Sequence, residues 1–78
     1  MPKNRKSVHK EEYQRFLKRL RQARIEAGLS QTEVAKRLRR LQTYVSKAEL
    51  GERRLDVLEV REFAKLYGKP LKFFFPED

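Results

Sequence analysis

The stretch that decides the fold reads Ser30-Gln31-Thr32-Glu33-Val34-Ala35-Lys36-Arg37-Leu38-Arg39-Arg40-Leu41-Gln42-Thr43-Tyr44-Val45-Ser46-Lys47-Ala48-Glu49-Leu50. It opens on a capping box. The Ser30 hydroxyl can accept from the Glu33 backbone N–H, and the Glu33 carboxylate can reach back to the Ser30 N–H. A short helix over Gln31–Leu38 follows, with Val34, Ala35 and Leu38 turned inward. A second short pattern places Leu41, Val45 and Ala48 at i, i+4, i+7, which predicts a helix over about Gln42–Leu50. Gly51 stops it. Only about three residues separate the two helices. A turn that short forces a steep crossing, about 90–120° in a helix-turn-helix, and the small Ala35 permits close approach.

The flanks extend the helical pattern. Tyr13, Phe16, Leu17, Leu20, Ala23 and Ala27 recur on one helical face, with Lys18, Arg19, Arg21 and Gln22 on the other. They predict a first helix from about Val8, with Ser7 as its cap, to Ala27, ended by Gly28. Asp56 with Glu59 makes a looser capping box for a helix over about Asp56–Tyr67, with Val57, Val60, Ala64 and Tyr67 on one face. Gly68-Lys69-Pro70 ends it. Pro70 can start a last short helix whose Phe73, Phe74 and Phe75 close the core. No strand pattern and no internal repeat appears. The expected fold is an all-α bundle of five helices, with residues 1–7 a basic disordered tail and 8–78 one domain.

Composition narrows the function. At 78 residues the chain holds one domain at most, and a domain that short buries only about 60% of its unfolded surface. Twenty Lys and Arg against eleven Asp and Glu give a net charge of +9, which favours a polyanionic partner. There is no cysteine, so neither a disulfide framework nor a thiolate metal site is possible. His9 is the only histidine and cannot make a metal site alone. No apolar run approaches the ~20 residues of a membrane span. A membrane-surface role for the basic first helix is countered by the polar cap at Ser30–Glu33 and by apolar stripes shared among several helices. No Gly-rich phosphate loop or catalytic cluster points to an enzyme, and no cofactor is expected.

The outer face of the predicted third helix carries Gln42, Thr43, Ser46 and Lys47. Glutamine can pair in a bidentate way with adenine, threonine can touch the thymine methyl, and lysine can reach guanine. Any helix surface must be polar somewhere, so this face alone does not decide the matter.

Gly28-Leu29-Ser30-Gln31 through Leu38, followed by Gln42-Thr43-Tyr44-Val45-Ser46-Lys47-Ala48-Glu49-Leu50-Gly51-Glu52-Arg53-Arg54, resembles the phage-repressor-like helix-turn-helix family. This is the lambda, 434 and Cro type, also called the xenobiotic-response-element family. The resemblance covers about Tyr13–Pro76. It implies that the third helix lies in the major groove of DNA, with Gln42, Thr43, Ser46 and Lys47 at or near bases. It implies that Gln31 contacts a phosphate and braces the first recognition residue, a role that also suits a helix N-terminus. It places Arg53 and Arg54 on the sugar-phosphate backbone, and makes Arg24 and Glu49 an ion pair tying helix 1 to helix 3. Arg40 is a further phosphate candidate. Tyr44 either bonds a phosphate or covers the flank of helix 3.

Two positions depart from the family. Arg39 stands where glycine is usual, so either it is strained or the turn has another shape. Leu41 has no side-chain oxygen with which to cap helix 3.

Leu55, Leu58 and Leu66, with some of Phe73–Phe75, are expected to form an apolar patch joining two subunits. A dimer would set two recognition helices roughly 34–36 Å apart on a palindromic operator. The expected protein is a bacterial or phage transcription regulator acting as a repressor in the cytoplasm, on the nucleoid. The alternative is the antitoxin of a toxin–antitoxin pair, which would bind DNA and also a partner protein.

Overall fold

The computed structural model describes the backbone of residues 2–76 and the side chains of residues 10–76. Four α-helices follow one another: α1 (Pro2–Glu26), α2 (Gln31–Leu38), α3 (Gln42–Leu50) and α4 (Val57–Tyr67). A single 3-10 turn, Leu71–Phe74, takes the place of the expected fifth helix. No strand occurs among the described residues. α2 packs chiefly on α3, while α1 runs beneath α3, α4 and the 3-10 turn.

Both capping boxes form as the sequence expects. Ser30 Oγ accepts the Glu33 N–H at 3.1 Å, and Glu33 Oε1 accepts the Ser30 N–H at 2.8 Å. At α4, Asp56 Oδ1 accepts the Glu59 N–H at 2.8 Å and Glu59 Oε1 accepts the Asp56 N–H at 3.0 Å. α1 begins at Pro2 rather than near Val8, so residues 2–7, expected as a disordered tail, lie within its bounds. Proline suits a first helical position because it has no N–H to leave unsatisfied and its φ is already helical. Ser7, expected as the cap, therefore falls within the helix bounds, and its side chain lies outside the described residues. The side chain of His9 lies outside the described residues. α1 ends at Glu26, one residue short of Ala27, which is exposed.

The turn between α2 and α3 keeps the shape that glycine would give it. Arg39 takes the left-handed conformation, φ 58° and ψ 46°. The Arg40 N–H closes the last turn of α2 on the Ala35 carbonyl at 2.9 Å. Of the two possibilities open for Arg39, the strained one holds. Leu41 stands at the α3 cap with no side-chain hydrogen bond, as expected. It was also expected on the inner stripe, but it is 77% exposed, because a cap residue precedes the first turn that reaches the core.

The core gathers Phe16, Leu17, Leu20 and Ala23 of α1, Val34 and Ala35 of α2, Val45 and Ala48 of α3, and Val60, Phe63, Ala64 and Tyr67 of α4, closed by Phe74. Phe63 lies off the stripe expected for α4, yet it is fully buried. Val57, expected inside, is 72% exposed. The true face of α4 runs Val60, Phe63, Ala64, Tyr67, and Val57 falls in the opening turn, before the helix meets α1. Burying a phenylalanine such as Phe63 or Phe74 stabilises the fold by about 1.5–3 kcal/mol. Leu55, Leu66 and Phe73 of the expected surface patch are half-buried against the core. Leu58 and Phe75 are exposed, joined by Val57 and Leu71.

Candidate nucleic-acid interface

The interface is built on α3, whose inner side is held by Val45 and Ala48, both fully buried. Those two anchors leave Gln42, Thr43 and Lys47 exposed and Ser46 half-buried on the outer side. All four base-contact candidates therefore share one helical face, as 42, 43, 46 and 47 must.

A run of side-chain hydrogen bonds crosses three helices to reach that face. Arg24 of α1 donates from Nε to Glu49 Oε2 at 2.6 Å and from Nη2 to Glu49 Oε1 at 3.2 Å. Arg24 Nη1 also donates to the Leu29 carbonyl at 3.0 Å. Glu49 Oε1 accepts in turn from Gln31 Nε2 at 3.0 Å. Gln31 Oε1 accepts from Gln42 Nε2 at 2.8 Å. The Glu49 carboxylate pairing raises the Arg24 pKa above its ordinary value, although burial acts the other way. The ion pair expected between Arg24 and Glu49 is present, and its side chains are only 13% and 5% exposed.

This run has a fixed polarity. An ionised carboxylate can only accept, so Gln31 must turn its NH₂ toward Glu49. Its carbonyl then faces Gln42, which must donate. One N–H and the carbonyl oxygen of Gln42 are left for an outside partner, the donor and acceptor that an adenine edge requires. Gln31 thus braces Gln42, as the family resemblance implies.

The basic candidates separate into two groups. Arg40 and Arg53 lie over the Tyr44 ring, at 4.5 and 5.0 Å from its centroid. Both also approach Glu59, with Arg53 Nη2 at 2.6 Å and Arg40 Nη2 at 3.9 Å from Oε2. Arg54 instead lies 4.4 Å from the Tyr13 ring centroid, on α1. Neighbours in sequence, Arg53 and Arg54 lie over different rings. Tyr44 stacks on Phe63, with centroids 6.0 Å apart and planes at 11°. Its hydroxyl is buried, and burial first, then the nearby Glu59 carboxylate, pushes its pKa up. The Tyr44 ring thus covers the flank of α3, one of its two expected placements.

Glu59 is the member of this cluster that sequence reading did not place there. It was legible only as a helix cap. Its partners lie in the α2–α3 turn and in the loop after α3, at separations with no helical or strand period.

A helix-turn-helix family model matches residues 20–74, from the last two turns of α1 to the end of the 3-10 turn. The chain belongs to the helix-turn-helix family. It is of the phage-repressor-like, xenobiotic-response-element type, a DNA-binding transcription-regulator domain. No curated protein and no solved structure matches the chain. The matched span includes every candidate residue of the helix-turn-helix interface, from Arg24 to Glu59. Among the described residues, no helix is long and apolar enough to cross a membrane.

Proposed function

We propose that this helix-turn-helix protein is a sequence-specific repressor that reads the major groove of double-stranded DNA with α3. The observation that carries the proposal is the Arg24–Glu49–Gln31–Gln42 run of hydrogen bonds. A merely solvated polar face needs no such bracing, whereas a reading head does. It fixes an amide at the start of α3 before any base arrives, which lowers the ordering cost of recognition. Thr43, Ser46 and Lys47 extend the base-reading face. Gln31, Arg40, Arg53 and Arg54 supply backbone contacts, which give affinity and salt dependence without sequence information. The role is one of binding rather than catalysis, exercised on the nucleoid.

A second copy of the chain is the partner this reading favours. Val57, Leu71 and Phe75 are exposed and line a groove with Tyr13, Phe16 and Pro76. Covering it with a twin would give a two-fold dimer and a palindromic operator. An antitoxin would cover the same groove with a different protein.

Selection of bound sites from random DNA tests the proposal. An enriched palindrome with half-sites about one helical turn apart is expected, and no enrichment over the starting pool refutes sequence-specific reading. Gln42→Ala is expected to relax preference among variants of the selected site while binding to random DNA persists. Unchanged discrimination removes Gln42 from the reading face.

A further inference from the structure

Glu59 stands at the meeting point of three elements. Its Oε1 caps α4 by accepting the Asp56 N–H. Its Oε2 takes Arg53 Nη2 at 2.6 Å, and Arg40 Nη2 is 3.9 Å from the same oxygen. Arg40 precedes α3 and Arg53 follows it, so two cations flanking the recognition helix converge on one anion. The Glu59 side chain is 12% exposed, whereas those of Arg40 and Arg53 keep 40% and 44%. The arginines therefore cover the carboxylate and leave their remaining donors to solvent. Tyr44, packed on Phe63, gives both guanidiniums a common platform. The cluster carries a net charge of +1, not +2. An incoming phosphate meets arginines that already hold a counter-ion, one that solvent cannot exchange for salt.

We propose that Glu59 is a built-in counter-anion that withholds one unit of arginine charge from the DNA backbone and so restrains binding to arbitrary sequences. The inference rests on the DNA-binding reading and concerns how strongly that interface engages phosphate. Arg53 meets a phosphate through its remaining donors, with its charge already countered by Glu59. Contacts carried by charge alone are weakened accordingly, because each phosphate neutralised by a free cation releases counterions and one neutralised by a paired cation releases fewer.

The test is fluorescence-anisotropy titration of the full chain with a labelled random-sequence duplex between roughly 50 and 200 mM salt, the range over which such binding is most responsive. Glu59→Gln removes the charge and keeps an acceptor for the α4 cap, since glutamine also serves in a capping box. A circular-dichroism melt checks the fold. Glu62→Gln, an exposed charge on the same helix, controls for net charge alone.

Glu59→Gln is expected to bind random DNA more tightly than the native chain, with a log–log salt slope steeper by about 0.9. Its advantage should then shrink about three- to fourfold across that salt range. Glu62→Gln should show a smaller change, and Arg53→Ala placed on the Glu59→Gln background should remove most of the gain. An unchanged slope, a slope equal to that of Glu62→Gln, or weaker binding by Glu59→Gln overturns the counter-anion role while leaving DNA binding intact. Absence of salt-dependent binding by the native chain overturns the DNA reading itself.

Discussion

Replacing Arg24 by methionine strands a carboxylate. Glu49 is 5% exposed at its side chain and takes two of its three hydrogen bonds from Arg24, the third coming from Gln31. Both lost bonds are charge-assisted, and the shorter is 2.6 Å. The Leu29 carbonyl loses a donor as well. Removing one member of a covered ion pair costs about 3–5 kcal/mol, because the survivor keeps its desolvation penalty without its partner. At about 0.05–0.15 kcal/mol per residue, a chain of this size has only about 4–12 kcal/mol in total. Arg24→Met is therefore expected to remove about a quarter or more of the stability, and to lower Tm by at least about 12 °C at roughly 4–8 °C per kcal/mol. Urea denaturation followed by far-ultraviolet circular dichroism measures the loss. A double-mutant cycle with Glu49→Met separates pairing from packing. With both charges gone, much of the stability should return, since a covered ion pair replaced by apolar groups is often neutral. Below the melting range, Arg24→Met should also blunt preference among DNA sites, because Glu49, no longer clamped by Arg24, holds Gln31 less firmly. A loss under about 1 kcal/mol, the range of solvent-screened pairs, refutes the reasoning.

Three further outcomes follow from the backbone and the core. Arg39→Gly relieves a left-handed residue, worth about 1–2 kcal/mol, and gives part of it back through a freer unfolded chain. A net gain of up to about 1 kcal/mol is expected as a raised urea midpoint at constant m, and a lowered midpoint counts against strain at this turn. Gly51→Ala is expected to cost about 2 kcal/mol or more, because φ is 82° and the new Cβ would stand 2.8 Å from Leu17 Cδ1; an unchanged thermal melt would contradict this. Tyr67→Phe removes a buried hydroxyl with no partner among the described residues, so stability near neutrality should hold or rise. Burial, then Glu49, pushes the Tyr67 phenol above its ordinary value of 10.0. The unfolded chain thus loses that proton first, and native stability is full below about pH 10 and falls as pH rises beyond it. Tyr67→Phe should flatten this alkaline limb, leaving the smaller slope due to Tyr44, and an identical limb in both proteins refutes the assignment.

Much of this molecule was legible in its sequence because the signals are local. A capping box spans three residues, and a helical stripe repeats every three or four. Ser30–Glu33, Asp56–Glu59, Gly51 and the Val34–Ala35 and Val45–Ala48 pairs accordingly marked α2, α3 and α4 to within a residue. The family resemblance added Arg24 with Glu49 and Gln31 with Gln42, contacts that periodicity cannot show. Leu41 and Val57 failed at helix starts, where an apolar residue fits the stripe in sequence but projects before the packing begins.

The sequence by itself therefore determined the helices, their caps, the short turn that crosses α2 over α3, and a basic chain with a polar face on α3. Only the tertiary structure decided what that face can do. The Gln42 amide is oriented by partners 11, 18 and 25 residues apart along the chain. Arg53 turns to Glu59 and Tyr44 while adjacent Arg54 turns to Tyr13. Tyr44 lays its ring on Phe63 and buries its hydroxyl. Each of these depends on where helices cross, and crossing is set by the packing of side chains far apart in sequence. Charge and hydrogen-bond direction at the interface are thus properties of the assembled bundle, not of the motif that announces it.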